Sequence, residues 1–223
     1  MRQEIALAVV IPTLNAERTL AATLAAVGSV REVIVSDGGS ADATRQIAID
    51  AGTRVIGAPR GRGSQIAAGI QAASQSWLLV LHADTCLRPG WQAEAEAHMT
   101  VNEGKAGYFR FAVRSDDPRA RRLERLVAWR CRVLALPYGD QGLLIHRDLL
   151  NAVGGMRDLP LMEDVDLIRR LGRRRLVAFD AVALTSAEKW HRGGWYRRSA
   201  RNLACLLLWF AGVPPRWIVR LYG

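Results

Sequence analysis

Apolar runs and polar breaks alternate regularly through the first half of this chain. Residues 5–11 (IALAVVI) are continuously apolar, which predicts a strand buried on both faces. Pro12 is expected to stop it. Asn15 can then cap a helix reaching about Val27, with Gly28 at its end. Residues 33–35 predict a second short strand, and Gly38, Gly39 and Ser40 turn the chain into a helix reaching about Asp50. Residues 54–56 predict a third strand. The segment GAPRGRGSQ follows, then a helix over about 65–73. Residues 77–81 predict a fourth strand, which ends at His82-Ala83-Asp84. This β-α-β-α rhythm implies a parallel sheet with right-handed crossovers.

The second half has a different texture. Residues 106–113 read as a strand. Residues 118–136 read as a long basic helix with apolar positions at Leu123, Leu126, Val127, Val133 and Leu134. Short strands are expected at 143–145 and 176–179, with a helix at 163–171 between them. From Ser186 the chain is basic and aromatic and runs into LACLLLWFAG. No repeat or linker interrupts it. The expected organisation is an α/β domain over 1–185, with one half to about 100 and a second half after it. A basic amphipathic helical extension over 186–223 completes the chain.

At 223 residues, half of them hydrophobic, the chain can bury one sizeable core. No stretch nears the roughly 20 apolar residues that span a bilayer. The start reads as a strand rather than a signal peptide, so the cytoplasm is the expected compartment. Cys86, Cys131 and Cys205 are too scattered for a disulfide framework or a zinc site. Net charge is +10, almost all from arginine. Such a surface suits phosphates, nucleic acid or anionic lipid, and base composition can produce the same bias.

Three acidic stations carry the candidate chemistry. Asp37 ends the second strand before two glycines; it can accept hydrogen bonds from a ribose or base, or simply order a turn. Gly38 allows a ligand close to the backbone. Asp84 ends the fourth strand. Buried there, it needs a metal, a cation or solvent, and Mg²⁺ or Mn²⁺ takes one or two carboxylates plus phosphate oxygens. Glu163 and Asp164 open a helix, where acids complement the dipole, or where one serves as a general base. Arg60 and Arg62 fit a diphosphate or a flexible basic loop equally well. Asp140 and Gln141, in GDQG, are suited to a sugar or acceptor hydroxyl. His191, among tryptophans and arginines, is a candidate late metal ligand.

Taken in order, VVIPTLNAE at 9–17, SDGGSADAT at 36–44, GRGSQIAAG at 61–69, LHADT at 81–85 and MEDVDLIRR at 162–170 resemble a family-2 glycosyltransferase of the GT-A fold. GDQG with PLMEDV is similar to a small bacterial subfamily of stand-alone glycosyltransferase-like proteins. The resemblance covers essentially the whole chain. It implies a Rossmann-like, mostly parallel sheet flanked by helices. Pro12, Thr13, Asn15 and Glu17 would line the nucleotide pocket, with Asp37 on the base or ribose. Asp84, the last acid of a DxD motif, would hold a divalent cation on the diphosphate. Asp164 would be the base, supported by Glu163, and transfer would invert the anomeric carbon. His82 stands where the first acid of DxD belongs. The QxxRW motif of processive synthases is missing, so transfer of one sugar is expected.

Two other classes compete. A sugar-phosphate nucleotidyltransferase would want a glycine-rich, basic signature after the first strand, and PTLNAE has no glycine. A basic, non-catalytic module would bind polyanions without using Asp84 or Asp164. Nothing matches zinc-finger or RNP spacing, so nucleic acid is not an expected partner. Leu206 to Phe210 near Arg197, Arg198 and Arg201 makes peripheral membrane contact and a lipid-linked acceptor plausible.

Overall fold

The computed structural model describes residues 4–222, apart from the side chains of Lys189 and Tyr222. Residues 1–3, at the head of the expected first strand, and the Lys189 side chain in the basic tail lie outside the described residues. The first half builds β1 (Ile5–Thr13), α1 (Leu20–Val27), β2 (Val30–Asp37), α2 (Thr44–Asp50), β3 (Arg54–Gly57), α3 (Arg62–Ala72) and β4 (Trp77–Val80). Then come β5 (Thr85–Leu87), α4 (Trp91–Val101), β6 (Ala106–Arg114), α5 (Pro118–Leu134), a 3₁₀ turn (Gly139–Gln141), β7 (Leu143–His146) and α6 (Arg147–Ala152). The chain finishes with α7 (Glu163–Leu171), a second 3₁₀ turn (Arg173–Arg175), β8 (Leu176–Ser186), α8 (Glu188–Gly193), α9 (Trp195–Phe210) and α10 (Pro215–Tyr222).

One sheet runs in the order β3-β2-β1-β4-β7-β6-β8-β5. Its first four strands are parallel, while β7 pairs antiparallel with both β4 and β6. The unbroken apolar run of β1 has a simple cause. Leu7, Val9 and Ile11 enter the core shared with α1, α2 and α4. Ala8 and Val10 enter the opposite core, shared with α3, α6 and α7. Both faces of the strand are covered, so neither alternates with polar residues.

Several element boundaries differ from the sequence expectation. Pro12 does not stop β1, which continues to Thr13 beside Asp37 of β2. Asn15 does not cap α1. It sits in the left-handed region at φ +51°, and the helix begins after Thr19. The loop GAPRGRGSQ is already helical from Arg62. The short strand β5 and the helix α4 carry no marked pattern: α4 buries only Trp91, Ala95 and His98. On α5, Leu126, Val133 and Leu134 face outward, and the helix packs instead through Ala120, Val127 and Cys131. The C-terminal segment is anchored to the domain: Cys205, Leu206 and Ile218 pack on Leu161, Met162 and Val165 at the start of α7.

Candidate functional site

The topology gathers the acids at one edge. The parallel strands β1, β2 and β4 end together, at Thr13, Asp37 and Val80, with Leu81 N–H bonded to Val10 O (3.0 Å). Ligands in open α/β sheets bind at such carboxyl ends. Because β7 runs antiparallel to β4, its entry turn Gly139-Asp140-Gln141 arrives at that same edge. The helix α7 starts there too, after Met162 in the left-handed region at φ +66°. That costly conformation for a non-glycine residue fixes the direction in which Glu163 and Asp164 emerge.

Two connected spaces result. A cleft of about 590 Å³ is lined by Pro12 and Thr13 at the end of β1, by Asn15 in the loop after it, by Arg60 and Arg62 before and at α3, and by His82 and Asp84 after β4. Arg18 and Arg192 add positive charge, partly offset by Glu188, which pairs with both (3.0 and 3.2 Å). Beside it lies a pocket of about 110 Å³ containing Asp140, Asp164, Tyr138, Trp190, Arg198 and Asn202. Arg62, His82 and Asp84 belong to both walls. Thus Asp84 stands at the junction of a cationic cleft and an acidic pocket.

Asp164 is held by two amides: Gly139 N–H donates to Oδ2 and Val165 N–H to Oδ1, both at 2.8 Å. Burial alone would raise its pKa. The Arg62 guanidinium, the Gly139 amide, His82 and the Val165 amide outweigh that and hold it below the usual range. Glycine is required at 139, since a Cβ there would stand 2.5 Å from His82 Nε2 and 3.3 Å from Asp164 Oδ2. Glu163 is fully buried, and its Oε1 is ion-paired with Arg62 Nε. Burial pushes its pKa up, partly countered by Arg62. Asp140 differs from both. Its Oδ1 is sealed from solvent without a hydrogen-bond partner. Burial, with Asp164 and Asp84 nearby and Arg130 opposing, pushes its pKa up to about 6.

Other expected site residues lie behind the cleft. Asp37 is buried and accepts from Thr13 Oγ1 (3.1 Å), Gly39 N–H (3.0 Å), Ser40 N–H (2.9 Å) and Ser40 Oγ (2.5 Å). Its carboxylate therefore ties the end of β1 to the SDGGS turn. Gly38 N–H is spent on Thr13 O (2.9 Å), and a Cβ at 38 would strike Gln65 Nε2 at 2.8 Å. Glu17 Oε2 accepts from Ala43 N–H (3.2 Å) and Asn15 Oδ1 from Ala41 N–H (2.9 Å), closing the first loop onto the start of α2. Gln141, expected as an acceptor contact, lies off both walls. It is 2% exposed, donates to Phe109 O (3.0 Å) and accepts from Tyr138 N–H and Arg130. His191, the other expected metal ligand, lies apart from Asp84. It packs edge-on to Trp195 at the outer rim, not on the walls that hold Asp84. Among the described residues no three His, Cys, Asp or Glu side chains gather around a metal position.

Sequence reasoning passed over Gln65, Arg18, Arg198 and Asn202. Gln65 donates to Thr13 O (2.5 Å) and Ser36 O (3.2 Å), locking α3 to two strand ends. Its helical register would have been readable only with the start of α3 placed correctly. Arg198 and Asn202 share a helix face at i and i+4, and that spacing was the available signal. Within the pocket Trp190 Nε1, Arg198 Nε and Asn202 Oδ1 are buried without partners among the described residues. Unpaired buried donors and acceptors are costly, so a pocket rich in them is prepared for a polar ligand.

Residues 8–157 match the family model described as glycosyl transferase family 2. The chain is 38% identical over 86 residues to uncharacterized glycosyltransferases of Mycobacterium bovis and Mycobacterium tuberculosis. That alignment covers 38% of this chain and 39% of those relatives, so it spans about two fifths of their length. Among solved structures, glucosyl-3-phosphoglycerate synthase from M. tuberculosis, in complex with Mn²⁺, UDP and glucosyl-3-phosphoglycerate, has a TM-score of 0.58 at 22% identity. It covers 94% of this chain and 81% of that one. S. aureus TarS 1-349 has a TM-score of 0.63 at 14% identity, covering 98% and 69%. These two likenesses concern the fold.

Proposed function

The chain belongs to glycosyl transferase family 2, and on that premise we propose that it moves one sugar from a nucleoside-diphosphate donor to an acceptor hydroxyl, inverting the anomeric carbon. The observation that carries this reading is the shared wall: Arg62, His82 and Asp84 separate a cationic cleft from a pocket holding Asp140 and Asp164. The nucleotide takes the cleft. Pro12, Thr13 and Asn15 flank the nucleoside, while Asp37, Gly38 and Glu17 shape the loops behind it. Arg60 and Arg62 face the diphosphate, to which a guanidinium donates bidentately.

A divalent cation fits the donor set. Asp84 offers one carboxylate beside the cations that would hold phosphate oxygens, which is how Mg²⁺ or Mn²⁺ is commonly bound by phosphate-using proteins. Bound there, it would neutralise charge on the departing diphosphate. The acceptor occupies the smaller pocket, with Asp140, Trp190, Arg198 and Asn202 as partners. Attack from the pocket side and departure on the cleft side are opposed across the shared wall, which is the arrangement inversion needs.

Asp164 takes the acceptor proton, with Glu163 supporting it by anchoring Arg62. A carboxylate held at low pKa is a weak base. Arg62 is the chief group lowering it, so a bound diphosphate that shares the Arg62 charge raises the basicity of Asp164. The base is therefore strengthened when the donor is present. Nucleotide-activated donors and free cysteines suit a cytoplasmic setting.

Asp164→Asn tests this directly. Transfer from a nucleotide-sugar panel with Mn²⁺ should fall by roughly 10³-fold, while calorimetric nucleoside-diphosphate binding stays within a few-fold. Undiminished transfer in the variant would remove Asp164 from the base role. Nucleotide-independent inactivity of the unaltered protein would sink the transferase reading itself.

A further inference from the structure

Charge and exposed apolar surface coincide on three adjoining helices, α5, α9 and α10. Eleven arginines and one acid, Glu124, lie on them. That excess equals the whole net charge of +10, so the remainder of the chain is balanced. Eighteen of the 29 arginines lie elsewhere, where acids balance them, so base composition alone does not account for the unbalanced charge on these helices. The same helices hold eleven of the thirteen exposed large hydrophobics among the described residues, including Leu126, Trp129, Leu203, Leu207, Phe210 and Trp217. Leu126, Trp129 and Val133 form one helical stripe, and Leu203, Leu207 and Phe210 another. Contiguity follows from the contacts. Arg122 Nη1 bonds Tyr196 Oη (3.2 Å) between α5 and α9, and Val127 packs in one cluster with Trp195. Cys205 and Leu206 of α9 pack with Ile218 of α10. No helix among the described residues is long and apolar enough to cross a membrane.

We propose that α5, α9 and α10 together form a docking face for an anionic lipid surface, on which the protein lies without spanning it. A soluble polyanion would satisfy the arginines but leave Trp129, Leu207 and Trp217 in water. A neutral protein partner would cover the apolar stripes but leave the arginines without counter-charges. An anionic bilayer interface satisfies both, since apolar side chains enter the acyl boundary while arginines meet headgroup phosphates. The face also bears on the acceptor. From its other side α9 presents Arg198 and Asn202 to the small pocket. Docking therefore brings that pocket to the level where a hydroxyl carried on a lipid would be found, a step that rests on the proposed transfer reaction.

Vesicle flotation of the full chain tests the face independently of catalysis. The probes are vesicles of phosphatidylcholine mixed with phosphatidylglycerol and vesicles of phosphatidylcholine alone. Binding is expected on the mixed vesicles and should weaken in high salt. A Trp129→Glu/Leu207→Glu/Trp217→Glu variant should bind at least about tenfold less well. An Arg125→Glu/Arg132→Glu/Arg216→Glu variant should lose about 100-fold. Unchanged circular dichroism in both variants shows that the fold survives. Absence of flotation, equal flotation on the neutral vesicles, or undiminished binding by both variants overturns the proposal. So does a dimer in solution that the first variant dissociates while neither protein binds vesicles, because the face then belongs to a second copy. Loss of transfer with flotation intact would count against the reaction and not against the docking face.

Discussion

Asp37, which is buried, and Asp140, which is partly buried, stand at the same edge of one sheet, yet their surroundings drive them in opposite directions. Around Asp37 the chain supplies its own donors. Burial works to raise its pKa, but the Ser40 hydroxyl and amide, Thr13 and the Gly39 amide prevail and lower it. Around Asp140 burial prevails, and Asp164 and Asp84 reinforce it. Asp37 is finished by the fold's own donors, whereas Asp140 keeps a buried oxygen without a hydrogen-bond partner among the described residues. Burial alone therefore does not mark a working group. The number of hydrogen-bond donors the fold has already assigned to it does.

The strongest way to break this contrast is to remove the cation that balances the acceptor side. Arg62 pairs with fully buried Glu163 and faces Asp164 and Asp140 as well. Arg62→Ala should cost about 3 kcal/mol in denaturant unfolding, the lower end for a broken buried pair because Arg62 is about one-third exposed. Adding Glu163→Gln should recover part of the loss, since no buried charge is then abandoned. Full stability in the single variant would show that these acids do not depend on Arg62.

Asp37 offers the complementary test. Asp37→Ala removes acceptors for two amides and two hydroxyls and should cost about 2 kcal/mol near neutral pH. Its folded pKa lies below the unfolded value of 3.8. The carboxylate's contribution is thus present above pH 4 and lost as pH falls through the folded pKa, so the two proteins should converge in acid. Nucleotide affinity should drop only several-fold through loosening of the SDGGS turn. A variant of unaltered stability that no longer binds nucleotide would make Asp37 a direct contact and erase the contrast with Asp140.

The first half of the chain was largely legible because local signals agreed there. Strands covered on both faces read as unbroken apolar runs, and glycines marked the turns between them. Asp84 was visible because an acid closing such a run needs a partner. What stayed hidden depended on non-local packing. Gln141 looked available in GDQG, but its amide is consumed by Phe109, 32 positions away. Glu17 and Asn15 share one motif, but packing separates them: both bond the start of α2, and only Asn15 also lines the cleft. The apolar positions read on α5 did not reveal which of them face outward, because periodicity identifies a stripe without saying what covers it. The smaller pocket needed α9 to fold back beside α7, and no short-range pattern announces that return.

The mildest perturbation sharpens the comparison most. Asp140 has a folded pKa of about 6 against 3.8 unfolded. For a carboxyl group raised in this way, the favourable contribution is complete below about pH 4 and is lost as pH climbs to 6, above which the ionised form weighs on the fold. Asp140→Asn should therefore match the parent protein near pH 4 and exceed its stability at pH 7. The gain should be on the order of 1–2 kcal/mol, discounted from the full shift because the residue is only partly buried. Urea midpoints at the two pH values measure it. On the proposed acceptor role, acceptor KM should rise about tenfold in the same variant with nucleotide binding unchanged. A variant less stable than its parent at pH 7 would mean that Asp140 is as fully satisfied as Asp37, and the acceptor side would then be structural as well.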